Sequence, residues 1–312
     1  MSNRILRAAR VLKEKFRRGN PSILGERKIH LHLGAHKTAT TFIQKILRKN
    51  QETLLENGVL YLPLVETRSK LSKHISAISK VDRDPSSLAC RRQAILDALG
   101  PERLERCHTI LISDENLSAT PNRFRNGSVY SSIAADWKHL RDELGPNISL
   151  FFSIRDYPDF LTSIYVETLR KHPYRSFEEF RRRHERLPKF WSQVHRGFSS
   201  VLGGENLNFW DFRDTIAKPA EVLAMLTGTS TPLVTKSTPV RESLSKEAIG
   251  FIRDFQSLEG RPLPPRHVTE MAMRLYPLSK CPEKFNPWSP EERATLREHY
   301  LAEKTTIPIR TF

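Results

Sequence analysis

Residues 34–41 combine one glycine, one lysine and three threonines in a spacing that suits phosphate binding. In order, they are Gly34, Ala35, His36, Lys37, Thr38, Ala39, Thr40 and Thr41. A glycine lets the backbone approach an anion closely, and a lysine adds a positive point charge. Threonines that open a helix leave backbone N–H groups at the positive end of the helix dipole, where phosphate oxygens bind. The stretch therefore predicts a phosphate-binding loop.

The residues on either side of this loop predict the elements that position it. Ile29, Leu31 and Leu33 alternate with polar residues, which is typical of a strand, and residues 42–47 follow with helical spacing of apolar side chains. Ligands of open α/β sheets bind at the carboxyl ends of the strands. The order of strand, loop and helix thus places the lysine where such sheets hold their ligands.

A second pair of candidate anion ligands comes much later in the chain. Residues 148–154 form an apolar strand pattern that runs directly into Arg155, and the helix predicted after it carries Ser163. Taken alone, each residue has an ordinary explanation, since arginines at strand ends form salt bridges and serines lie on helix surfaces. Because the spacing lets both side chains face one pocket, the pair favours a second anion site.

Two residues are candidates for a general base. Residues 109–113 predict another buried strand, and Glu115 follows at its carboxyl end. A carboxylate at that edge can accept a proton from a bound substrate, although helix capping or a salt bridge would explain it equally well. His36 is the second candidate because it lies in the loop itself. With Lys37, these two form the predicted catalytic set.

The alternation of elements predicts the fold class. Four strand patterns, the last at residues 206–212, alternate with helices, which indicates a parallel sheet covered on both faces. The expected class is α/β, of the kind found in P-loop nucleotide-binding proteins. We expect residues 1–27 to form a basic segment and residues 28–312 the domain. Residues 170–200 interrupt the alternation, are rich in arginine, histidine and aromatic residues, and predict a helical cap over the site.

The charge balance indicates an anionic partner. Lysine and arginine number 51 against 35 acidic residues, a formal net charge of +16. A nucleotide, an acidic glycan, a nucleic acid and a membrane surface all remain open on this basis. The three cysteines are far apart and form no CxxC pair, so neither a disulfide framework nor a zinc site is expected. A reducing, cytoplasmic compartment fits this pattern.

Residues 1–18 place basic and apolar residues at roughly helical spacing. One interpretation is a basic amphipathic helix that rests on the anionic inner face of a membrane. The other is a packed or solvated helix with no membrane role. The sequence leaves both open, and a peripheral membrane contact through this segment is one of the expectations.

The loop departs from the ATP-binding Walker A pattern, G-x-x-x-x-G-K-[ST], because His36 rather than glycine precedes Lys37. A kinase would also require an acid at a strand end to bind metal, and Asp114 is available for that. A kinase that uses ATP and Mg²⁺ is therefore a second hypothesis. A non-enzymatic module that binds nucleic acid or another anion is the third.

Taken together, the loop and the Arg155–Ser163 pair resemble the sulfotransferase family that uses PAPS (3′-phosphoadenosine 5′-phosphosulfate). The loop of that family looks like G/P-x-x-K-[ST]-G-T-T, and its 3′-phosphate site is an arginine at a strand end with a serine on the next helix. The stretches RESLS at 241–245 and FNPWSPEER at 285–293 resemble bacterial members. The chain departs from the family at Ala39, where glycine is usual, and has no clear Arg-Lys-Gly adenosine motif, for which Arg241 is the candidate substitute.

The resemblance covers about residues 28–301 and implies in-line transfer of a sulfuryl group from PAPS to an acceptor hydroxyl, without a metal. Lys37 and the loop N–H groups would stabilise the leaving nucleotide, and the loop threonines would bind its 5′-phosphate. Arg155 and Ser163 would bind the 3′-phosphate. Glu115, or failing that His36, would take the acceptor proton. The basic cap and the basic N-terminal segment favour a carbohydrate or glycolipid acceptor of a bacterial cell envelope, with a small-molecule acceptor as the open alternative. No nucleic acid partner is expected.

Overall fold

Six strands form a single parallel sheet in this computed structural model. The structure describes residues 23–78, 85–118, 130, 137, 141, 144–184, 190–235, 243–256 and 263–312. The strands are β1 (Lys28–His32), β2 (Val59–Tyr61), β3 (Thr109–Ser113), β4 (Ile148–Ile154), β5 (Leu207–Asp211) and β6 (Ile309–Arg310). Their order in the sheet is β2-β3-β1-β4-β5-β6, and each pairing is parallel. The predicted parallel α/β sheet is thus confirmed.

The helices connect and cover these strands. They are α1 (Thr40–Lys49), α2 (Gln51–Glu56), α3 (Leu64–Glu66), α4 (Ser72–Ile78), α5 (Pro85–Leu99), α6 (Pro101–Glu105), α7 (Tyr157–Leu169), α8 (Phe177–Arg182), α9 (Phe190–Leu202), α10 (Phe212–Ala217), α11 (Pro219–Thr227), α12 (Lys246–Gln256), α13 (Pro265–Leu275) and α14 (Pro290–Lys304). A π-helical turn, Thr67–Leu71, joins α3 to α4, and a 3-10 turn, Glu115–Leu117, follows β3.

The register of the central strands brings the candidate site residues to one edge. His32, the last residue of β1, is paired with Ser113 at the end of β3 and with Phe151 in β4. Parallel strands share a direction, so the segments that follow them leave the sheet on the same side. The phosphate loop, Glu115 and Arg155 therefore all emerge at the carboxyl edge.

Apolar side chains cover both faces of the sheet. Leu31, Ile112 and Leu150 pack in one buried cluster, while Leu111 and Phe151 belong to a second cluster on the other face. The first cluster contains residues of α5, α7 and α9, and the second contains residues of α1 and α11. The strands consequently read as nearly continuous apolar runs, as expected for a sheet buried on both sides.

The predicted cap at residues 170–200 divides into two parts. Helix α8 begins with a capping box, in which Ser176 and Glu179 exchange side-chain and backbone hydrogen bonds. Helix α9 instead packs on the sheet, where Trp191 and Phe198 contact Phe152 of β4. Apolar residues at helical spacing turn one face of α9 toward the sheet, so its part of the segment belongs to the covering layer.

The structure adds a strand to the predicted set and leaves two predicted features outside the described residues. Strand β6 has only two residues and was not predicted from the sequence. The basic segment before residue 23 and Arg241 lie outside the described residues. Over the described part of the chain, no helix combines the length and apolar character that a membrane span requires.

Candidate functional site

The loop between β1 and α1 has the backbone shape of an anion-binding turn. Lys37 and Ala39, with one residue between them, have left-handed φ values of 66° and 63°. Backbone in which left-handed residues alternate with others directs successive N–H groups toward one concave surface, which attracts anions. A left-handed φ is costly for residues other than glycine and persists where the surrounding structure enforces it. The loop therefore has a strained backbone at the predicted phosphate site.

Gly34 is required at the start of this loop. Its φ is +37°, and a Cβ atom at this position would lie 2.8 Å from Oγ1 of Thr40. Contacts this short between non-bonded atoms do not occur without a shift of the backbone or the side chain. The absent side chain thus lets the loop that follows β1 pass directly against the first residue of α1.

The start of α1 offers unused hydrogen-bond donors. Among the described residues no side chain caps this helix, and its first N–H groups have no partner within the helix itself. The Thr40 side chain is buried, with its residue 5% exposed, and its Oγ1 has no hydrogen-bond partner in the described part of the chain. Buried polar groups are normally paired, so this hydroxyl fits a bound oxygen ligand.

Thr38 differs from Thr40 in how its hydroxyl is used. Its Oγ1 donates a hydrogen bond to the carbonyl of Ala35 over 2.5 Å and accepts one from Oγ of Ser153, also over 2.5 Å. The side chain is fully buried. This hydroxyl closes the loop and ties it to β4, so only the backbone N–H of Thr38 remains for the predicted role in phosphate binding. Thr41 follows in the first turn of α1 and is half-buried.

Lys37 contacts a carboxylate from α7. Its Nζ lies 3.4 Å from Oε2 of Glu167, and Oε1 of the same carboxylate lies 3.2 Å from Nζ of Lys171. Sequence analysis did not identify Glu167. A usable indication existed, since Glu167 comes four residues after Ser163 and residues at that spacing share a helix face.

Arg155 reaches the loop directly. Its Nη1 donates a hydrogen bond of 2.9 Å to the carbonyl of Lys37, and its guanidinium lies 4.7 Å from the ring centre of Phe212. Burial lowers the pKa of Arg155 from its ordinary value. Its Nε is buried and has no partner within the described residues. A half-buried cation with a buried, unused donor beside the loop favours an anionic ligand there.

Ser163 lies on α7, half-buried, on the helix face that carries Glu167. Because Glu167 contacts Lys37, this face of α7 is turned toward the loop. In the part of the chain that the structure describes, no hydrogen bond joins Ser163 to Arg155. The structure thus brings both residues to the loop side of the sheet, without a hydrogen bond between them in the described part of the chain.

His36 is held by two polar side chains. Its Nε2 lies 3.2 Å from Oδ1 of Asn116, and its Nδ1 lies 3.1 Å from the hydroxyl of Tyr130, which also accepts a hydrogen bond from the His36 backbone. These partners assign the proton to Nε2, since the amide oxygen only accepts. Burial lowers the pKa of His36 to about 3. The ring is therefore neutral and anchored, and Tyr130, which sequence analysis missed, holds it.

Glu115 faces a cation and an amide. Its Oε1 accepts a hydrogen bond of 3.2 Å from Arg68, and its Oε2 accepts one of 3.3 Å from Gln44. The neighbouring Asp114 is buried and takes two more hydrogen bonds from the Arg68 guanidinium. The salt bridge that sequence analysis considered for Glu115 is thus present. The side chain stays 18% exposed, so a substrate can reach it.

Ala35 and Arg241 are two further residues that the sequence predicts to bind the nucleotide. Ala35 is fully buried, and its backbone N–H bonds the carbonyl of Ser153, so it anchors the loop to β4. Arg241 falls in residues 236–242, outside the described residues, and its predicted contact with adenosine stays a prediction. Across the described ranges, no group of three or more histidine, cysteine or acidic side chains is arranged to hold a metal ion.

A solved structure that matches the chain is the crystal structure of a sulfotransferase from Alicyclobacillus acidocaldarius. The match has 12% sequence identity and a TM-score of 0.43, and it covers 91% of this chain and 97% of that chain. No protein-family model matches the chain, and no curated protein matches it. At such low similarity, the activity of this chain has to be inferred from its own residues.

Proposed function

We propose that this chain is a sulfotransferase that moves a sulfuryl group from PAPS to an acceptor hydroxyl. The observation that carries the proposal is the hydrogen bond from Arg155 to the carbonyl of Lys37. It joins an anion-binding loop after β1 to a half-buried guanidinium after β4. A donor with phosphate groups at both its 3′ and 5′ positions requires two such anion sites close together.

The residues divide the donor between them. The N–H groups at the start of α1, the Thr40 hydroxyl and the Lys37 ammonium would hold the 5′-phosphosulfate. There they would stabilise the negative charge that develops on the leaving phosphate as the sulfur–oxygen bond breaks. Arg155, with Ser163 on the facing side of α7, would hold the 3′-phosphate. A guanidinium suits this role because it presents several donors in a plane.

The acceptor hydroxyl must lose its proton as the new bond to sulfur forms. Glu115 is the proposed base, because its carboxylate lies at the same sheet edge and remains reachable from solvent. His36 ranks second. Its Nδ1 lies next to the Tyr130 hydroxyl and its Nε2 next to Asn116, so the ring has neither nitrogen turned freely to a substrate.

The two hydrogen bonds of the Thr38 hydroxyl count against the kinase hypothesis. In a Walker A loop, the hydroxyl that follows the lysine binds Mg²⁺. Here the Thr38 hydroxyl donates to Ala35 and accepts from Ser153, so it is committed within the protein. A kinase would have to break both bonds to bind its metal. The sulfuryl transfer proposed here places no such demand on Thr38.

The acceptor is proposed to be a hydroxyl of a carbohydrate or glycolipid. The formal charge of +16 favours an acidic acceptor, and Lys171 lies beside Glu167 at the solvent side of the site, 45% exposed. A non-enzymatic anion-binding module is the rival here. It would bind nucleic acid or lipid with strong salt dependence and no preference among nucleotides.

Thermal unfolding with added nucleotide tests the proposal. Adenosine 3′,5′-bisphosphate, the product of sulfuryl transfer, should raise Tm because it binds only the folded protein. ATP with Mg²⁺ at equal concentration should raise it less. A larger shift with ATP and Mg²⁺ would favour the kinase, and equal small shifts would favour the binding module.

A further inference from the structure

The Glu167 carboxylate bridges two lysines at the edge of the candidate site. The contact with Lys37 is 3.4 Å and sheltered, with side-chain exposures of 18% and 17% for Lys37 and Glu167. The contact with Lys171 is 3.2 Å, and Lys171 is 45% exposed. Sheltered charges are screened less by salt than exposed ones, so salt weakens the ion pair with Lys37 less than the ion pair with Lys171.

A nucleotide in the loop would compete with Glu167 for Lys37. The Glu167 carboxylate and the phosphate would have to share the Lys37 ammonium. Their negative charges would also repel each other when both are near. If Lys37 turns to the phosphate, Glu167 keeps Lys171 as a partner, four residues further along the chain and just past the end of α7. The Glu167 carboxylate would therefore still be paired with a cation, Lys171, while Lys37 binds the nucleotide.

We propose that Glu167 is a positioning residue: it releases the Lys37 ammonium to the nucleotide on binding and pairs with it again when the nucleotide leaves. This role rests on the proposed function. Before the donor binds, the carboxylate holds the ammonium at the loop. As adenosine 3′,5′-bisphosphate leaves, the carboxylate takes the ammonium back. Glu167 thereby weakens product binding without touching the reacting atoms. Since product release limits turnover in many enzymes, this competition would speed turnover.

Calorimetric titration with adenosine 3′,5′-bisphosphate tests the exchange. Glu167→Gln should bind this nucleotide roughly two- to fivefold more tightly than the unsubstituted protein, the range expected for a partly exposed ion pair. Glu167→Asp should fall between the two. Glu105→Gln is the matched control, because it makes the same charge change on an exposed residue that precedes β3, at the opposite edge of the sheet. Its affinity should be unchanged.

A second titration separates exchange from simple repulsion. In a Lys37→Ala background, Glu167→Gln should no longer tighten binding, because the shared ammonium is gone. Tightening that persists without Lys37 would mean that Glu167 repels the nucleotide directly, and the exchange would be wrong. Each variant is first checked for an unchanged Tm without ligand, so that a folding defect is not read as a change in affinity.

The outcomes distinguish the inference from the proposed function. If the unsubstituted protein binds adenosine 3′,5′-bisphosphate and Glu167→Gln binds it equally or more weakly, the role of Glu167 is overturned and the proposed function stands. If the unsubstituted protein does not bind this nucleotide, both are overturned.

Discussion

The hydroxyl of Ser153, in β4, donates a hydrogen bond of 2.5 Å to the hydroxyl of Thr38 in the phosphate loop. The loop is thus fastened to the neighbouring strand as well as to β1, which it follows. The Thr38 hydroxyl passes the connection on to the Ala35 carbonyl. Two buried hydroxyls therefore fix the loop shape before any ligand binds.

Substitution of Thr38 should reveal this connection. Thr38→Val leaves the Ser153 hydroxyl and the Ala35 carbonyl without their partner, and should lower the free energy of unfolding by about 1–3 kcal/mol. Thr38→Ser keeps the hydroxyl and should cost less. Urea unfolding measures both. Equal stability of Thr38→Val and the unsubstituted protein would show that the hydrogen bonds do not hold the loop.

Ala39 carries strain that glycine would relieve. It has φ 63° and ψ 20°, a left-handed conformation that costs residues with a Cβ about 1–2 kcal/mol. Ala39→Gly should raise the free energy of unfolding by up to about 1 kcal/mol, since the greater freedom of glycine in the unfolded chain offsets part of the gain. Ala39→Val should lower it. Thermal unfolding of the three proteins in parallel checks the order, and a less stable glycine variant would contradict it.

Glu115→Gln should abolish sulfuryl transfer and leave nucleotide binding intact. The amide keeps the size of the side chain and can still accept a hydrogen bond from Arg68, but it cannot take a proton from the acceptor. The measurement pairs a transfer assay with a titration of adenosine 3′,5′-bisphosphate. Transfer at an undiminished rate would place the base elsewhere, with His36→Asn as the next variant to assay.

The stability of the fold should depend on pH through Asp211 of β5, which accepts a hydrogen bond from Lys304 of α14. Burial alone would raise the pKa of Asp211, but hydrogen bonds from Arg213 and Lys304 outweigh it and hold this pKa well below its usual range. An acid with a lowered pKa in the folded state stabilises the protein above the unfolded pKa, which is about 4. That stabilisation is lost as pH falls further.

Asp211→Asn should therefore lower Tm at pH 7, because the charged contact with Lys304 at 2.8 Å is lost. The difference in Tm between the variant and the unsubstituted protein should narrow as pH falls from 5 to 3. Thermal unfolding at several pH values measures this. A difference that stays constant over the range would show that the charge of Asp211 does not stabilise the fold.

Much of the fold followed from local patterns. Apolar runs such as Ile148–Ile154 predict buried strands, and the parallel sheet follows from their alternation with helices. Strand β6 escaped prediction because two residues carry no periodicity, and its pairing with β5 depends on the tertiary fold. The position of Arg155 at a strand end was predictable, but its bond to the Lys37 carbonyl was not, because it joins residues 118 positions apart.

The same limit applies within the site. The loop was recognisable because its residues are consecutive. Glu167 and Tyr130 reach the loop from distant segments, and Arg68 reaches Glu115 in the same way. The partners of these three residues could not be read from the sequence. Thr38 was expected to bind phosphate, whereas its hydroxyl bonds Ser153 and Ala35. Contacts between distant segments thus determine which candidates face a ligand.

The proposed function requires that the site hold a nucleotide by two phosphate groups, one in the loop and one at Arg155. Calorimetry with adenosine 3′,5′-bisphosphate and with adenosine 5′-monophosphate tests it most directly. Since charge-assisted hydrogen bonds contribute about 1.5–3 kcal/mol each, the 3′-phosphate should tighten binding by roughly tenfold or more. Arg155→Ala should remove that advantage. Equal affinities of the unsubstituted protein for the two nucleotides would contradict the account.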